Sequence, residues 1–270
     1  MTGPSRRVIP FTKASACGND FLIVTEADQY RDLNSLTRRL CNRHNGVGAD
    51  GVEWLFPDTE ADTRARLINA DGSDAEISGN GTRCVAAEIY SRTEKREIVI
   101  RTGAGLKTCR LTAKRPPTFD FETDMGDATV EGQLEIRTES VEVVGTKVSM
   151  GNPHFVVFVN QFQQDWQKQA ATIQSAKAEN QPQFPHGTNV EYVSVRGPHD
   201  IEIRLFERGV GETMSSGTGS CASAVAAIDS QRVTSPVTVT APGGAQTVRW
   251  ENQVYLLGPA TLICRGEYFV

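Results

Sequence analysis

The stretch R-L-I-N-A-D-G-S-D-A-E-I-S-G-N-G-T-R-C runs from Arg66 to Cys84, and two of its segments recur later in the chain. Arg66-Leu67-Ile68-Asn69 is echoed by Arg204-Leu205-Phe206-Glu207, and Ser78-Gly79-Asn80-Gly81 by Ser216-Gly217-Thr218-Gly219. The offset is 138 residues for both, from Arg66 to Arg204 and from Ser78 to Ser216. A weaker echo links Gly18-Asn19-Asp20-Phe21 to Gly151-Asn152-Pro153-His154-Phe155, each followed by an apolar run. Two gapless matches at one offset indicate an internal duplication, which fixes architecture before any single element is assigned.

The chain therefore divides into two similar halves, 1–124 and 125–270, joined near Asp124 to Val130, with the last strand free to return to the first half. Each half carries a G-N-x-F turn and strand, then an R-L strand, then an S-G-x-G turn. A pseudo-twofold arrangement of the halves would bring the two S-G-x-G turns to one cleft from opposite sides.

Around these anchors strands dominate. Asp200 to Leu205 alternates with period two, as a half-buried strand does. Arg96–Thr102, Gly105–Leu111, Thr118–Thr123, Pro236–Ala241 and Gln253–Leu257 read the same way, separated by glycine and proline turns. Four helices are expected. Asp32–Arg43 and Gln163–Ala178 each show one apolar face, whereas Asn80–Arg92 and Thr218–Asp229 are small or apolar almost all round and should be buried. The fold class is α/β of the α+β kind, each half a curved, mostly antiparallel sheet around one central helix. No β-α-β rhythm supports a dinucleotide-binding fold.

Composition bounds the function. The 270 residues are 39% hydrophobic and 23% charged, with a formal net charge of −5, which offers no basic footprint for nucleic acid or a membrane surface. No stretch reaches the roughly 20 apolar residues of a membrane helix, and the N-terminus lacks the apolar core of a signal peptide. The six cysteines are scattered with no C-x-x-C pair, so neither a zinc site nor a disulfide framework is implied, and the expected location is the cytoplasm. Cys84 and Cys221 are read as core thiols, Cys17 as a turn residue near the site, His154 as structural, and His186 and His199 as exposed loop residues.

The amino ends of the two buried helices are the chemically telling places. Unpaired N–H groups and the positive end of the helix dipole bind anions, and Gly79, Gly81, Gly217 and Gly219 allow close approach. Two such ends can hold an α-carboxylate and stabilise the charge that develops when the adjacent carbon loses a proton. Inversion at that carbon needs one proton-transfer group on each face. Ser78 and Ser216 stand where those groups belong.

The motifs N-A-D-G-S-x-A-E-x-x-G-N-G-x-R-C (Asn69–Cys84) and E-R-G-x-G-E-T-x-x-x-G-T-G-x-C (Glu207–Cys221) resemble the two signature segments of the diaminopimelate epimerases. G-N-D-F (Gly18–Phe21), R-H-x-G-V-G-A-D-G (Arg43–Gly51) and S-M-G-N-P-H (Ser149–His154) are similar to that family too, in the same order along essentially the whole chain. The resemblance implies a homodimer-forming isomerase of lysine and peptidoglycan biosynthesis that interconverts LL- and meso-2,6-diaminopimelate with no cofactor and no metal. It implies substrate contacts by Asn19, Asn69, Asn152, Asn189, Glu207 and Arg208. The backbone N–H groups of Gly79, Asn80, Gly217 and Thr218 would hold the reacting α-carboxylate. Arg208 would grip the distal carboxylate, and Glu207 would face an ammonium group.

One departure is large: the family's two acid/base cysteines align with Ser78 and Ser216. An alcohol keeps the shape of a thiol but is a far weaker acid. The sequence shows no base beside either serine; His44 and His154 lie in motifs that also accompany the cysteines. The chain as written is thus expected to bind substrate and epimerise it negligibly, whether the serines are engineered or mark a natural branch. A divergent isomerase of the same fold, of the phenazine-biosynthesis or proline racemase kind, and a non-catalytic amino-acid binding protein are the other readings left open.

Overall fold

The computed structural model describes residues 8–178, 181–182, 184–185 and 187–270, so His186 lies outside the described residues. The chain forms two compact units, Met1–Thr123 with Gly258–Val270, and Asp124–Leu257.

The first unit holds β1 (Val8–Ala16), β2 (Asn19–Val24), α1 (Leu33–Cys41), β3 (Gly51–Phe56), β4 (Thr63–Asn69), β5 (Asp74–Ala75), α2 (Gly79–Thr93), β6 (Glu97–Thr102) and β7 (Gly105–Arg115). β8 (Thr118–Gly126) runs out of it into the second unit. Pairing proceeds β1/β2 antiparallel, β2/β3 parallel, β3/β4 antiparallel, β4/β6 parallel, then β6/β7 and β7/β8 antiparallel. The last strand of the chain, numbered β19 below (Val254–Phe269), pairs with both β8 and β1 and closes the ring.

The second unit repeats this grammar with β9 (Thr129–Arg137), β10 (Glu142–Ser149), β11 (Pro153–Phe158), α3 (Trp166–Gln174), β12 (Lys177–Ala178), β13 (Gln181–Pro182), β14 (Asn189–Gly197), β15 (Asp200–Glu207), β16 (Gly211–Thr213), α4 (Gly217–Asp229), β17 (Val237–Ala241), β18 (Gly244–Trp250) and the start of β19. Here β10/β11 is antiparallel, β11/β14 parallel, β14/β15 antiparallel, β15/β17 parallel, and β17/β18 and β18/β19 antiparallel. Among the described residues the strand pairings are mostly antiparallel, with two parallel pairings in each unit.

The helices at the two centres explain the packing. Cys84, Val85, Ala86 and Ala87 of α2 are fully buried against Phe21, Ile98, Ile100 and Phe121. Cys221, Ala222, Ala224, Val225 and Ala226 of α4 are fully buried against Val156, Ile203, Val239 and Leu256. Small side chains all round let strands approach each helix closely from several directions, and that close packing is where the burial energy comes from. The thiols of Cys84 and Cys221 are part of this core.

α1 and α3 cover outer faces instead. α1 starts at Asp32, whose side chain accepts the Ser35 N–H (3.2 Å). Beneath it Trp54 Nε1 donates to Thr37 Oγ1 (2.9 Å), with both residues fully buried. Thr37→Val is expected to leave that indole N–H without a partner and to lower stability by about 1–2 kcal/mol, read by urea denaturation.

Two sequence expectations shift. The helix expected over 163–178 is confined to Trp166–Gln174, with the Ser175 hydroxyl donating to the Ala171 and Thr172 carbonyls (both 3.1 Å) at its C-terminal end. The strand expected over 253–257 continues to Phe269, through Gly258-Pro259, which reads as a break. Gly258 is there for space: a Cβ on it would lie 3.1 Å from Cζ of the fully buried Arg83.

Candidate active site

Ser78 and Ser216 are the N-caps of α2 and α4, and each does the same local work. Ser78 Oγ accepts the Gly81 N–H (3.1 Å), and Ser216 Oγ accepts the Gly219 N–H (3.2 Å). Both residues are extended, at φ −124° and −138°. The next residues, Gly79-Asn80 and Gly217-Thr218, begin the helices, so their N–H groups lie among those a helix leaves without an internal partner.

In the first unit, Asn19 Nδ2 donates to Asp50 Oδ2 (2.6 Å), and Asn69 Nδ2 donates to Ser73 Oγ (3.1 Å). Asn80 is buried, and its side-chain oxygen accepts from Arg83 Nη2 (2.6 Å). Arg83 belongs to the quoted R-C pair, but its role was not read from the sequence. It is a buried cation holding a residue of the helix N-terminus in place.

In the second unit the expected residues form a connected set. Asn189 Oδ1 accepts the Arg208 N–H (2.9 Å), and its Nδ2 donates to the Pro153 carbonyl (3.2 Å). His154 is buried, with Nδ1 2.7 Å from Glu191 Oε1 and Nε2 3.0 Å from Asn152 Oδ1. Asn152 Nδ2 in turn reaches Thr218 Oγ1 (3.4 Å) at the start of α4. Glu207 accepts from Thr213 Oγ1 (2.7 Å), and the Ser216 hydroxyl donates to the same carboxylate. Burial pushes the Glu207 carboxyl up from its ordinary value, against those two hydrogen bonds and the nearby His154. Arg208 is exposed, its stem laid against Gly187.

The expectation that no base stands beside either serine needs correcting at Ser216. Glu207 is hydrogen-bonded to Ser216, and a second carboxyl, Glu53, lies beside the turn of Ser78. A Cβ on Gly81 would collide with Glu53 Oε1 and lie 3.3 Å from the Ser78 Cβ. A Cβ on Gly219 would meet Glu191 Oε1 at 3.0 Å and the Ser216 Cβ at 3.2 Å. Glu53 and Glu191 are again 138 residues apart, so the duplication itself was the signal that would have found them. His44 is exposed and His199 is exposed, with His199 Nδ1 2.7 Å from the Thr234 carbonyl. Cys17 is buried in the left-handed region, φ 51°. Among the described residues no group of three or more His, Cys, Asp or Glu side chains could hold a metal ion.

The chain has counterparts among known proteins. The chain is 36% identical to a diaminopimelate epimerase of Desulfitobacterium hafniense over 94% of this chain and 96% of that protein. It is 37% identical to one of Moorella thermoacetica, over 96% and 98%. Its fold is shared with a hydroxyproline epimerase of Agrobacterium vitis solved with trans-4-hydroxy-L-proline, at TM-score 0.74 and 16% identity, covering 97% of this chain and 91% of that one. It is also shared with a phenazine biosynthesis protein of the PhzF family from Bacillus anthracis, at TM-score 0.72 and 16% identity over 98% and 100%. The family model for diaminopimelate epimerase matches residues 11–131 and 146–263, which takes in both capped turns and the polar side chains described with them. With relatives above 30% identity along nearly its whole length, this chain belongs to the diaminopimelate epimerase family of isomerases.

Proposed function

We propose that this chain binds 2,6-diaminopimelate and acts on its α-carbon by a two-base scheme, in which Ser78 and Ser216 occupy the acid/base positions. The observation that carries the reading is the pair of serine-capped, glycine-lined helix N-termini, one in each unit of a chain matched by the family model. The N–H groups of Gly79, Asn80, Gly217 and Thr218 are assigned to the reacting α-carboxylate, where their positive ends oppose the charge of a carbanion. Asn19, Asn69, Asn152 and Asn189 are assigned to the rest of the substrate's polar groups. Glu207 is assigned to the ammonium group as well as to Ser216. No step calls for a cofactor or a metal. A serine pair is a poor substitute for thiols, so turnover of the unaltered chain is proposed to be slow. A homodimer and a cytoplasmic location are proposed on the family resemblance alone. Among the described residues no helix is long and apolar enough to cross a membrane.

Arg208 provides the test of substrate identity. A planar guanidinium binds a carboxylate through two parallel hydrogen bonds, and diaminopimelate is distinguished from lysine by a second carboxylate at its far end. Arg208→Ala is expected to weaken diaminopimelate binding about 30-fold, or roughly 2 kcal/mol, by calorimetry. Lysine binding, weak to begin with, should hardly change. Unaltered affinity for diaminopimelate in that variant would remove Arg208 from the site.

A further inference from the structure

Glu53 and Glu88 are the buried glutamates of the first unit; Glu88 is paired with Arg92 and Arg265, whereas no salt bridge to Glu53 is formed among the described residues. Glu53 sits in the middle of β3, where the run Gly51-Val52-Glu53-Trp54-Leu55 is buried on both faces of the strand. Its side chain reaches the N-terminus of α2 and stops against Gly81, beside Ser78. The second unit has the same device in Glu191, which stops against Gly219 beside Ser216. There, however, the carboxylate is held by His154 at 2.7 Å. The position that corresponds to His154 in the first unit is Phe21, since His154 pairs with Asn189 as Phe21 pairs with Gly51 in the parallel strands. Among the described residues no imidazole is hydrogen-bonded to Glu53 as His154 is to Glu191. Burial is the single cause acting on its carboxyl group, which is pushed up to about 8.

A carboxyl group without an ionic partner is costly to bury, and an apolar side chain would fill the same space in an ordinary strand. Its place against Gly81, in the turn that Ser78 caps, gives it a use. We propose that Glu53 holds the proton that Ser78 exchanges with the substrate's α-carbon, so that the thiol missing from this half is replaced by a hydroxyl backed by a carboxyl group. When the Cα–H bond breaks, its electron pair stays on carbon and its proton passes to Ser78 Oγ. The proton of the Ser78 hydroxyl moves to the Glu53 carboxylate in the same step. The reverse sequence returns a proton to the carbon. A carboxyl raised to about 8 matches the proton affinity of a thiol, near 8.5. Glu53 in turn acts on the thiol of Cys84 on α2, which is pushed up chiefly by burial; Arg83, Cys17 and Asp20 act on that thiol as well. Glu53 acts through Ser78 and is a positioning residue in that sense. The proposal rests on the diaminopimelate reading of the site.

The test is α-proton exchange in deuterated water with LL- and meso-diaminopimelate, from pH 5.5 to 10. It compares the unaltered chain, Glu53→Gln, Ser78→Cys and the Glu53→Gln/Ser78→Cys double variant. The unaltered chain should exchange slowly, with a rate that climbs through about pH 8 and then levels as Glu53 becomes a carboxylate. Glu53→Gln should lose on the order of 100-fold of that exchange. The double variant should recover it, because a thiolate needs no carboxylate behind it; a merely structural role for Glu53 would leave the double variant as impaired as Glu53→Gln. Exchange in Glu53→Gln at the parent rate, or none in the unaltered chain while calorimetry shows diaminopimelate bound, would overturn the proposal. Absence of binding would instead sink the substrate reading. Infrared spectroscopy then decides about Glu53 without any ligand. A protonated-carboxyl band present at pH 6, lost by pH 9.5 and missing from Glu53→Gln is expected, and its absence from the unaltered chain would end the proposal.

Discussion

Replacing Ser78 and Ser216 together by cysteine is expected to raise epimerisation at least about 1,000-fold over the unaltered chain. A thiol titrates near 8.5 and is lowered further at a helix N-terminus, whereas an alcohol yields almost no anion at neutral pH. Both positions are N-caps whose side-chain oxygen already faces the first turn of a helix, so sulfur enters a site built to favour the anion. The single variants should separate the two half-reactions. With one thiolate, Ser78→Cys or Ser216→Cys should exchange the α-proton of one stereoisomer with solvent and invert little of it. The preferred stereoisomer should switch between the two variants. Deuterium incorporation followed by chiral chromatography reads both quantities. Epimerisation by the unaltered chain at the rate of the double-cysteine form would show that hydroxyls with carboxyl partners suffice, and no activity in the double-cysteine form would point to a diverged substrate.

The second large effect concerns stability. Glu53→Gln should make the protein more stable at neutral pH, by roughly 3 kcal/mol at pH 7. The sign follows from the direction of the shift. The Glu53 carboxyl is raised in the folded protein, from an ordinary 4.5 to about 8, so the folded state binds its proton more tightly than the unfolded chain does. Its stabilising contribution is complete below about 4.5, is lost as pH rises from there to about 8, and stays lost above that. Glutamine has the same shape and never ionises. The gap between variant and parent in urea denaturation should thus be small at pH 4.5, grow with pH, and level above pH 8. An equal gap at pH 4.5 and pH 8.5 would mean that Glu53 ionises normally.

Much of this was legible because the duplication repeats chemistry as well as shape. The Ser-Gly-x-Gly turns marked the two helix N-termini, and the small residues after them marked helices that strands must surround. Glu53 was hidden for a physical reason. Period-two reading assigns a face only when one side of a strand meets water, and β3 is buried on both. Arg83 and Gly258 were hidden by another. Gly-Pro reads as a turn in a local window, yet here the glycine makes room for a guanidinium more than 170 residues earlier in the chain, and the strand runs straight through. The hydrogen bond between Ser216 and Glu207 joins two residues of one motif to which a linear reading gives separate assignments, one to the acid/base position and one to the ammonium group.

The long final strand has a consequence for how the protein is made. Val8 pairs with Phe269 and Ser15 with Thr261, so the ring of the first unit closes only when its first and last strands meet. On a ribosome the usual order is that the N-terminal unit folds first. Here the second unit is complete first: residues 124–257 can all have emerged while the unit that began earlier still lacks residues 258–270. Until then β1 and β8 present open edges, and open strand edges are the places where one nascent chain pairs with another. Shortening the chain by that last segment would therefore damage the unit that was synthesised first, and yield in cells should respond to chaperone supply during that interval.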